Sequence, residues 1–198
     1  MNKKGEIRSF IAIELPSEVR DQLRILLDDN LKNKLDIVAS WVKPENCHLT
    51  LKFLGDVPPE EISRITNTLI SVTQDISPFS LRLDKLGVFP NIKHPRILWI
   101  GIAGDTQQLI SLHNNIDSKL KLIGFPSENR AFAPHLTLCR IRENLSESTC
   151  KNISDVLNTN WIESSHFQVS EIVLFRSELT PKGPIHSRLA TATFKKAQ

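Results

Sequence analysis

Six histidines occur in this 198-residue chain, and two of them open the same four-residue word. His48-Leu49-Thr50-Leu51 returns letter for letter as His135-Leu136-Thr137-Leu138. In a β-strand successive side chains point to opposite faces, so the leucines face one way and the His-Thr pair the other. The leucines suit a core. The imidazole and the hydroxyl then stand on the far face, about 7 Å apart by strand rise. A lone histidine on a half-buried strand is ordinarily structural, and Leu and Thr satisfy β-propensity alone. Propensity does not ask for histidine at the same offset twice. Two imidazoles can divide acid–base work, one taking a proton from water and the other giving one to a leaving oxygen. Two hydroxyls can meanwhile hydrogen-bond the negative oxygens between them. That set suits metal-free phosphoester hydrolysis by in-line attack. No carboxylate or cysteine stands at ligand spacing to complete a zinc site, and threonine is a poor zinc ligand. A Ser-His-Asp triad has no use for two equivalent histidines.

Residues just beyond each word are the next candidates. Arg140 follows His135 at the position that Phe53 holds after His48. Strict alternation puts both on the leucine face. Arg140 reaches the His-Thr face only if the strand twists or bulges after Leu138; otherwise it forms a surface ion pair of little energetic weight. Phe53 reads as core, with stacking on a nucleic-acid base as the alternative. Lys52 shares the His48 face by alternation and reads as a solvated charge, with attraction of an anion as the other reading. Arg142, Arg176, Lys182 and Arg188 are candidates for a basic rim. His94 falls in a loop and His113 in a helix, while His166 and His186 flank the last strands with no assigned role.

The elements that must position these residues alternate between strand and helix. Residues 8–15 read as a strand, and a helix follows with Ser17 as N-cap and a Val19, Leu23, Leu26, Leu27 stripe. Two strand-like pieces flank a Pro44-Glu45-Asn46 turn, and prolines and acids open a second helix. "FSLRLDKLGVF" and "RILWIGIA" are β-rich, and a third helix ends at Gly124. "HLTLCRIR" is a strand, "SESTCKNISDVLNT" a helix, and "FQVSEIVLFRSEL" with "HSRLATATFKK" closes on strands. The order strand, motif strand, helix occurs twice, which predicts two similar half-units. With no Gly/Ser-rich linker between them, the expectation is one bilobal α+β domain over 1–198 with largely antiparallel sheets.

Composition sets the frame. Charged residues are 24% and hydrophobic residues 40%, as in ordinary globular proteins. No apolar run approaches the ~18 residues that span a bilayer, and the apolar stretch near the N-terminus is cut by Glu14 and Pro16, which argues against a signal peptide. The three cysteines, Cys47, Cys139 and Cys150, lack CxxC spacing and read as small, partly buried, reduced thiols of a cytoplasmic protein. A net charge of +3 permits an anionic ligand without implying a non-specific nucleic-acid coat.

These residues carry a resemblance. The two words, set in "RSFIAIELPSEVRDQL", "WVKPENCHLTLKFLGDV", "LGVFP" with "RILWIGI", "FAPHLTLCRIR" and "LFRSELTPKGPIHSRL", resemble the 2H phosphoesterase superfamily and, within it, the RNA 2′,3′-cyclic phosphodiesterase (2′-5′ RNA ligase-like) family. The resemblance runs from about Arg8 to about Leu189. It implies a bilobal fold with a central cleft, no metal, no cofactor, and opening of 2′,3′-cyclic phosphates at RNA or oligonucleotide ends to 2′-phosphates. In some members the reverse reaction makes a 2′-5′ linkage. Carried over, His48 is the general acid on the 3′ oxygen and His135 the general base for water. Thr50 and Thr137 hold phosphoryl oxygens, and Arg140 contacts the phosphate. The alternatives are a cyclic phosphodiesterase for small nucleotides and a non-catalytic RNA-end binder. A monomer with no membrane contact is expected. One departure is the lack of tyrosine: Phe175 and His186 stand where relatives carry aromatic hydroxyls, and the expectation is that catalysis does not depend on them.

Overall fold

The computed structural model describes residues 5–128, 130–159, 166–181 and 183–195. The first half-unit begins with β1 (Ile7–Glu14), whose residues from Ser9 to Ile13 are all buried because both faces of this strand are covered. Pro16 occupies the N-cap position of α1 (Ser17–Arg24), so Ser17 is the first helical residue rather than the cap. The expected stripe is buried, but the helix changes character midway. Ile25–Leu31 is π-helical, and a single turn, α2 (Lys32–Lys34), ends it. The wider turn leaves carbonyls to be satisfied. Asn30 donates to the Ile25 carbonyl at 3.2 Å and Asn33 to the Asp28 carbonyl at 3.1 Å.

β2 (Ala39–Trp41), a 3₁₀ turn at Pro44–Asn46 and β3 (His48–Val57) follow, the last carrying the first motif at its start. A second 3₁₀ turn at Pro59–Glu61 leads into α3 (Ile62–Thr73), which buries Ile65, Leu69 and Val72, and then β4 (Phe79–Phe89). The second half-unit repeats the plan with β5 (Ile97–Gly104), α4 (Thr106–Leu122), β6 (His135–Ile141), α5 (Glu147–Leu157), β7 (Phe167–Val169), β8 (Glu171–Thr180) and β9 (Gly183–Thr193). Gly124 ends α4 as expected. At φ +98° it takes the left-handed conformation, its N–H donates to Lys121 and that of Phe125 to Leu120, which together close a Schellman cap. "FQVSEIVLFRSEL" is not one strand. The chain changes sheets at Ser170, so β7 and β8 belong to different layers.

Two sheets result, and every pairing is antiparallel. The four-stranded sheet has the order β3-β1-β8-β9 and the five-stranded sheet β2-β6-β5-β4-β7. Read outward from the motif strand the two orders correspond. The halves also exchange strands: β4 follows α3 of the first half but pairs with β5, and β8 follows α5 of the second but pairs with β1. One apolar core spans both halves and contains all four motif leucines, none more than 2% exposed. The fold is α+β, as its sequence pattern predicts.

Candidate active site

His48 is the first residue of β3 and sits opposite Glu14 of β1. The 3₁₀ turn before it turns the Asn46 carbonyl back onto the ring, 2.8 Å from Nδ1. A carbonyl only accepts, so Nδ1 carries the proton and Nε2 is left as the working nitrogen. The ring stacks on Phe10 at 4.5 Å, with Phe175 6.3 Å away, and meets His186 almost perpendicularly at 5.2 Å. Burial in this box, with the His186 ring opposing a second positive charge beside it, pushes His48 down to about 4, against an upward pull from the Asn46 carbonyl. The free protein therefore holds His48 neutral at neutral pH.

His135 repeats the arrangement in the other sheet. It opens β6 opposite Gly101, and its Nδ1 donates to the Ala133 carbonyl at 2.7 Å, again two residues upstream. Its ring meets Phe89 at 5.1 Å and Trp99 at 6.2 Å, both near perpendicular. Trp99 lies flat over Gly87, where a Cβ would fall 2.2 Å from the indole. Glycine is therefore needed at that point of β4. The motifs come together at the junction of the sheets: Cys47 Sγ is 4.0 Å from the Thr137 carbonyl, and the Val42 N–H donates to the Leu138 carbonyl at 2.8 Å.

The repetition extends past the four letters into the backbone. In β3 the register steps so that Ala12 faces Thr50 and Ile11 faces Lys52, leaving Leu51 as an extra residue. In β6, Trp99 faces Thr137 and Leu98 faces Cys139, leaving Leu138 extra. Each word thus ends on a β-bulge, which puts two successive side chains into the core and reverses the alternation beyond. The six-residue burial pattern is the same in both strands: His and Thr part-exposed, both leucines and the next residue buried, and the sixth exposed.

Two expectations are thereby corrected. Phe53 is not core; it is 62% exposed on the His48 face, 6.2 Å from Phe10. Lys52 is not a solvated charge beside His48. It is 1% exposed, with Nζ 2.5 Å from Asp117 Oδ1 and 2.8 Å from the Pro126 carbonyl. The bulge explains both, because it shifts Lys52 inward and Phe53 outward. The register step at Leu138 precedes Arg140, which is exposed, and among the described residues no carboxylate pairs with it.

The suggested rim is less available than its charges imply. Arg142 donates to Ser40, Arg176 pairs with Glu178 at 2.6 Å, and Arg188 pairs with Glu14 and Glu171, while Lys182 lies outside the described residues. His113 is buried in packing on Phe132, His94 is an exposed loop residue, and His166 bonds Ser80. Cys47 and Cys139 are buried and their thiols pushed up to about 12 by burial, so neither is a nucleophile. Among the described residues no three His, Cys, Asp or Glu side chains converge as a metal site. Sequence reasoning missed the two carbonyls that orient the imidazoles and the aromatic walls. The walls were findable only through register, since Phe10 and Trp99 lie on neighbouring strands.

Known proteins show the same plan. The model of the LigT-like phosphoesterase family matches this chain twice in tandem, over residues 13–99 and 100–186, and His48 and His135 fall at the same offset in each copy. A Methanothermobacter thermautotrophicus protein named RNA 2′,3′-cyclic phosphodiesterase is 34% identical over 182 residues, covering 92% of this chain and 96% of its own. One of the same name from Archaeoglobus fulgidus is 34% identical over 184 residues, 92% of this chain and 98% of the relative. Among solved structures, a Thermus thermophilus protein superposes with a TM-score of 0.76 at 26% identity, over 97% of this chain and all of that one. E. coli LigT in complex with 3′-AMP gives 0.75 at 26% identity, over 96% and 99% of the two chains. Two imidazoles oriented alike, on two bulged strands of two matching sheets, and a family model that reads the chain twice lead to one conclusion: the chain belongs to the LigT-like phosphoesterase family.

Proposed function

We propose that this protein hydrolyses 2′,3′-cyclic phosphates at RNA ends to 2′-phosphates, without a metal, using His48 and His135 as its acid–base pair. The observation that carries this reading is the paired Nδ1-to-carbonyl bond, which leaves both Nε2 atoms as the working nitrogens. The names of the relatives supply the substrate class. In the reaction one Nε2 takes a proton from water as its oxygen bonds to phosphorus. The P–O3′ bond breaks, and the other imidazole delivers a proton to the 3′ oxygen. Thr50 and Thr137 hydrogen-bond the non-bridging oxygens, and the Arg140 guanidinium faces the same charge. With a 5′-hydroxyl in place of water as the attacking group, the same groups break the P–O3′ bond and make a 2′-5′ linkage.

Family resemblance gives His48 the acid role and His135 the base role. The aromatic burial of His48 favours the reverse, because a neutral imidazole is ready to accept a proton and must first take one up from solvent before it can donate. A cyclic substrate with sulfur at the bridging 3′ position separates the two assignments, since thiolate leaves without an acid. The variant rescued by that substrate, His48→Ala or His135→Ala, lacks the acid.

The test of the function itself is turnover of a short RNA with a 2′,3′-cyclic end, beside a free cyclic mononucleotide, in EDTA. Each His→Ala variant should lose about 10²–10⁴ in kcat, and the double variant much less than the product of the two. Full activity in either single variant, or activity restored only by added metal, overturns the reading. Strand exchange between the halves supports one working unit across 1–198, acting as a monomer; the free thiols of Cys47, Cys139 and Cys150 suit the cytoplasm, and among the described residues no helix is long and apolar enough to cross a membrane.

A further inference from the structure

His186 stands against His48 in a way that ordinary packing does not require. It lies on β9 opposite Ser177, and its ring is nearly perpendicular both to His48, at 5.2 Å and 89°, and to Phe10, at 5.0 Å and 80°. Phe10 itself stacks under His48. The same stretch of β9 reaches His48 by a second route. Asn46 donates its side-chain N–H to the Pro184 carbonyl at 3.1 Å, and Asn46's own carbonyl is the group that holds His48 Nδ1. Residues 184–186 therefore brace both the ring and the carbonyl that orients it. Among the described residues the rings that meet His135 are Phe89 and Trp99, with no second imidazole, so this support is confined to one half.

The protonation state of His186 follows from its surroundings. Its Nδ1 is sealed from water and has no hydrogen-bond partner among the described residues. A proton there would be a buried, unpaired donor, and in the cation a charged one, so at neutral pH the ring is neutral with its proton on Nε2. Burial also pushes its titration below the ordinary histidine value. The charged groups on the elements packed around it are otherwise engaged. On β8, Arg176 and Glu178 flank Ser177 and pair with each other; on β9, Arg188 is held by Glu14 and Glu171; before Asn46, Glu45 is held by Arg24. His48 on β3 is the titratable group that His186 directly faces.

We propose that His186 is a positioning residue for His48: it fixes the imidazole plane from the β9 side, and the two facing rings accept no more than one added proton between them. The proposal rests on the acid–base role given to His48 above. Two imidazoles 5.2 Å apart resist double protonation, so the pair titrates as a unit and not as two independent groups.

Three variants separate positioning from packing. His186→Gln keeps a neutral polar side chain that cannot compete for the added proton, and the acidic limb of kcat/KM should move up by about one pH unit. His186→Ala removes the wall, and kcat should fall about tenfold at constant KM, the cost of a loosened reacting group. His186→Phe restores a flat ring, so kcat should return to within about threefold of wild type while the limb stays displaced. An NMR titration of the His48 ring in wild type and His186→Gln needs no substrate and should show the same upward shift. An unmoved limb and an unmoved His48 titration overturn the proposal, as does a His186→Ala variant that loses stability alone. Absence of any turnover by the wild-type protein sinks the catalytic reading instead, and the NMR titration still decides whether the two rings are coupled.

Discussion

Asp117→Asn should damage the fold more than Lys52→Met, although the two residues form one ion pair. Lys52 is 1% exposed, and its ammonium has two partners, Asp117 Oδ1 at 2.5 Å and the Pro126 carbonyl at 2.8 Å. Asp117 keeps 18% of its side chain exposed. Burial pushes its carboxyl up, but Lys52, the Ser127 hydroxyl and the Glu128 backbone together hold it below the usual carboxylate range. Removing the lysine leaves a carboxylate that retains Ser127, Glu128 and contact with water. Removing the carboxylate charge leaves an ammonium sealed in apolar surroundings with only neutral acceptors. The second loss belongs with broken buried pairs, at about 3–5 kcal/mol, and the first should cost about 1–2 kcal/mol. For a chain of this size the larger figure is a fall of roughly 6–20 °C in Tm. The double variant Lys52→Met/Asp117→Leu should recover most of the loss, because a well-packed apolar pair avoids desolvation altogether. Urea unfolding followed by circular dichroism and by tryptophan fluorescence gives all three values. Equal losses in the two single variants, or a Lys52→Met cost above that of Asp117→Asn, would refute the reasoning.

Acid should loosen the fold through His48. The unfolded chain takes up this proton near the ordinary 6.5 and the folded one at about 4, so the unfolded state binds more protons between those values and stability falls as pH drops through that window. The loss is at most about 3 kcal/mol, and urea midpoints of His48→Leu should be flatter over the same range. Arg140→Ala should lower kcat/KM by about 10–200-fold, one charge-assisted contact, with Tm unchanged because the side chain is exposed and unpaired. If Tm falls with activity, Arg140 is structural. Gly87→Ala should cost about 1–3 kcal/mol and also reduce turnover, since the added methyl displaces the Trp99 ring that backs His135; unchanged thermal unfolding would contradict the close approach of β4 to the indole.

Much of this was legible in the letters. The repeated word placed the histidines and threonines on one face and the leucines in the core, and the duplicated order of elements anticipated two corresponding sheets. What strict alternation could not show was the bulge at Leu51 and Leu138, because a one-residue insertion in a ladder is a property of two strands and their register. That single step misplaced Lys52 and Phe53 in the sequence reading and made Arg140 ambiguous. The Lys52–Asp117 pair and the contact of His186 with His48 were hidden for a related reason. Each joins residues far apart in sequence, and nothing in either local pattern names its partner.

The exchange of β4 and β8 bears on how the chain can be made. Ser9 of β1 finds its neighbour at Arg176, so the first sheet waits for nearly the whole polypeptide to leave the ribosome. Until then β1 and β3 form a ribbon with both edges open, and the β1 edge that awaits β8 is the kind that invites pairing with another chain. Long-range closure of this sort is slow, because loop entropy is lost before the contacts reward it. A half-unit produced by itself would meet the same difficulty permanently, since its exchanged strand, β4 or β8, belongs on the opposite sheet. Two such halves could satisfy each other by swapping that strand, giving a symmetric dimer with one histidine word per subunit. Joining the halves in one polypeptide makes the exchange intramolecular and secures one copy of each word at the junction in every molecule.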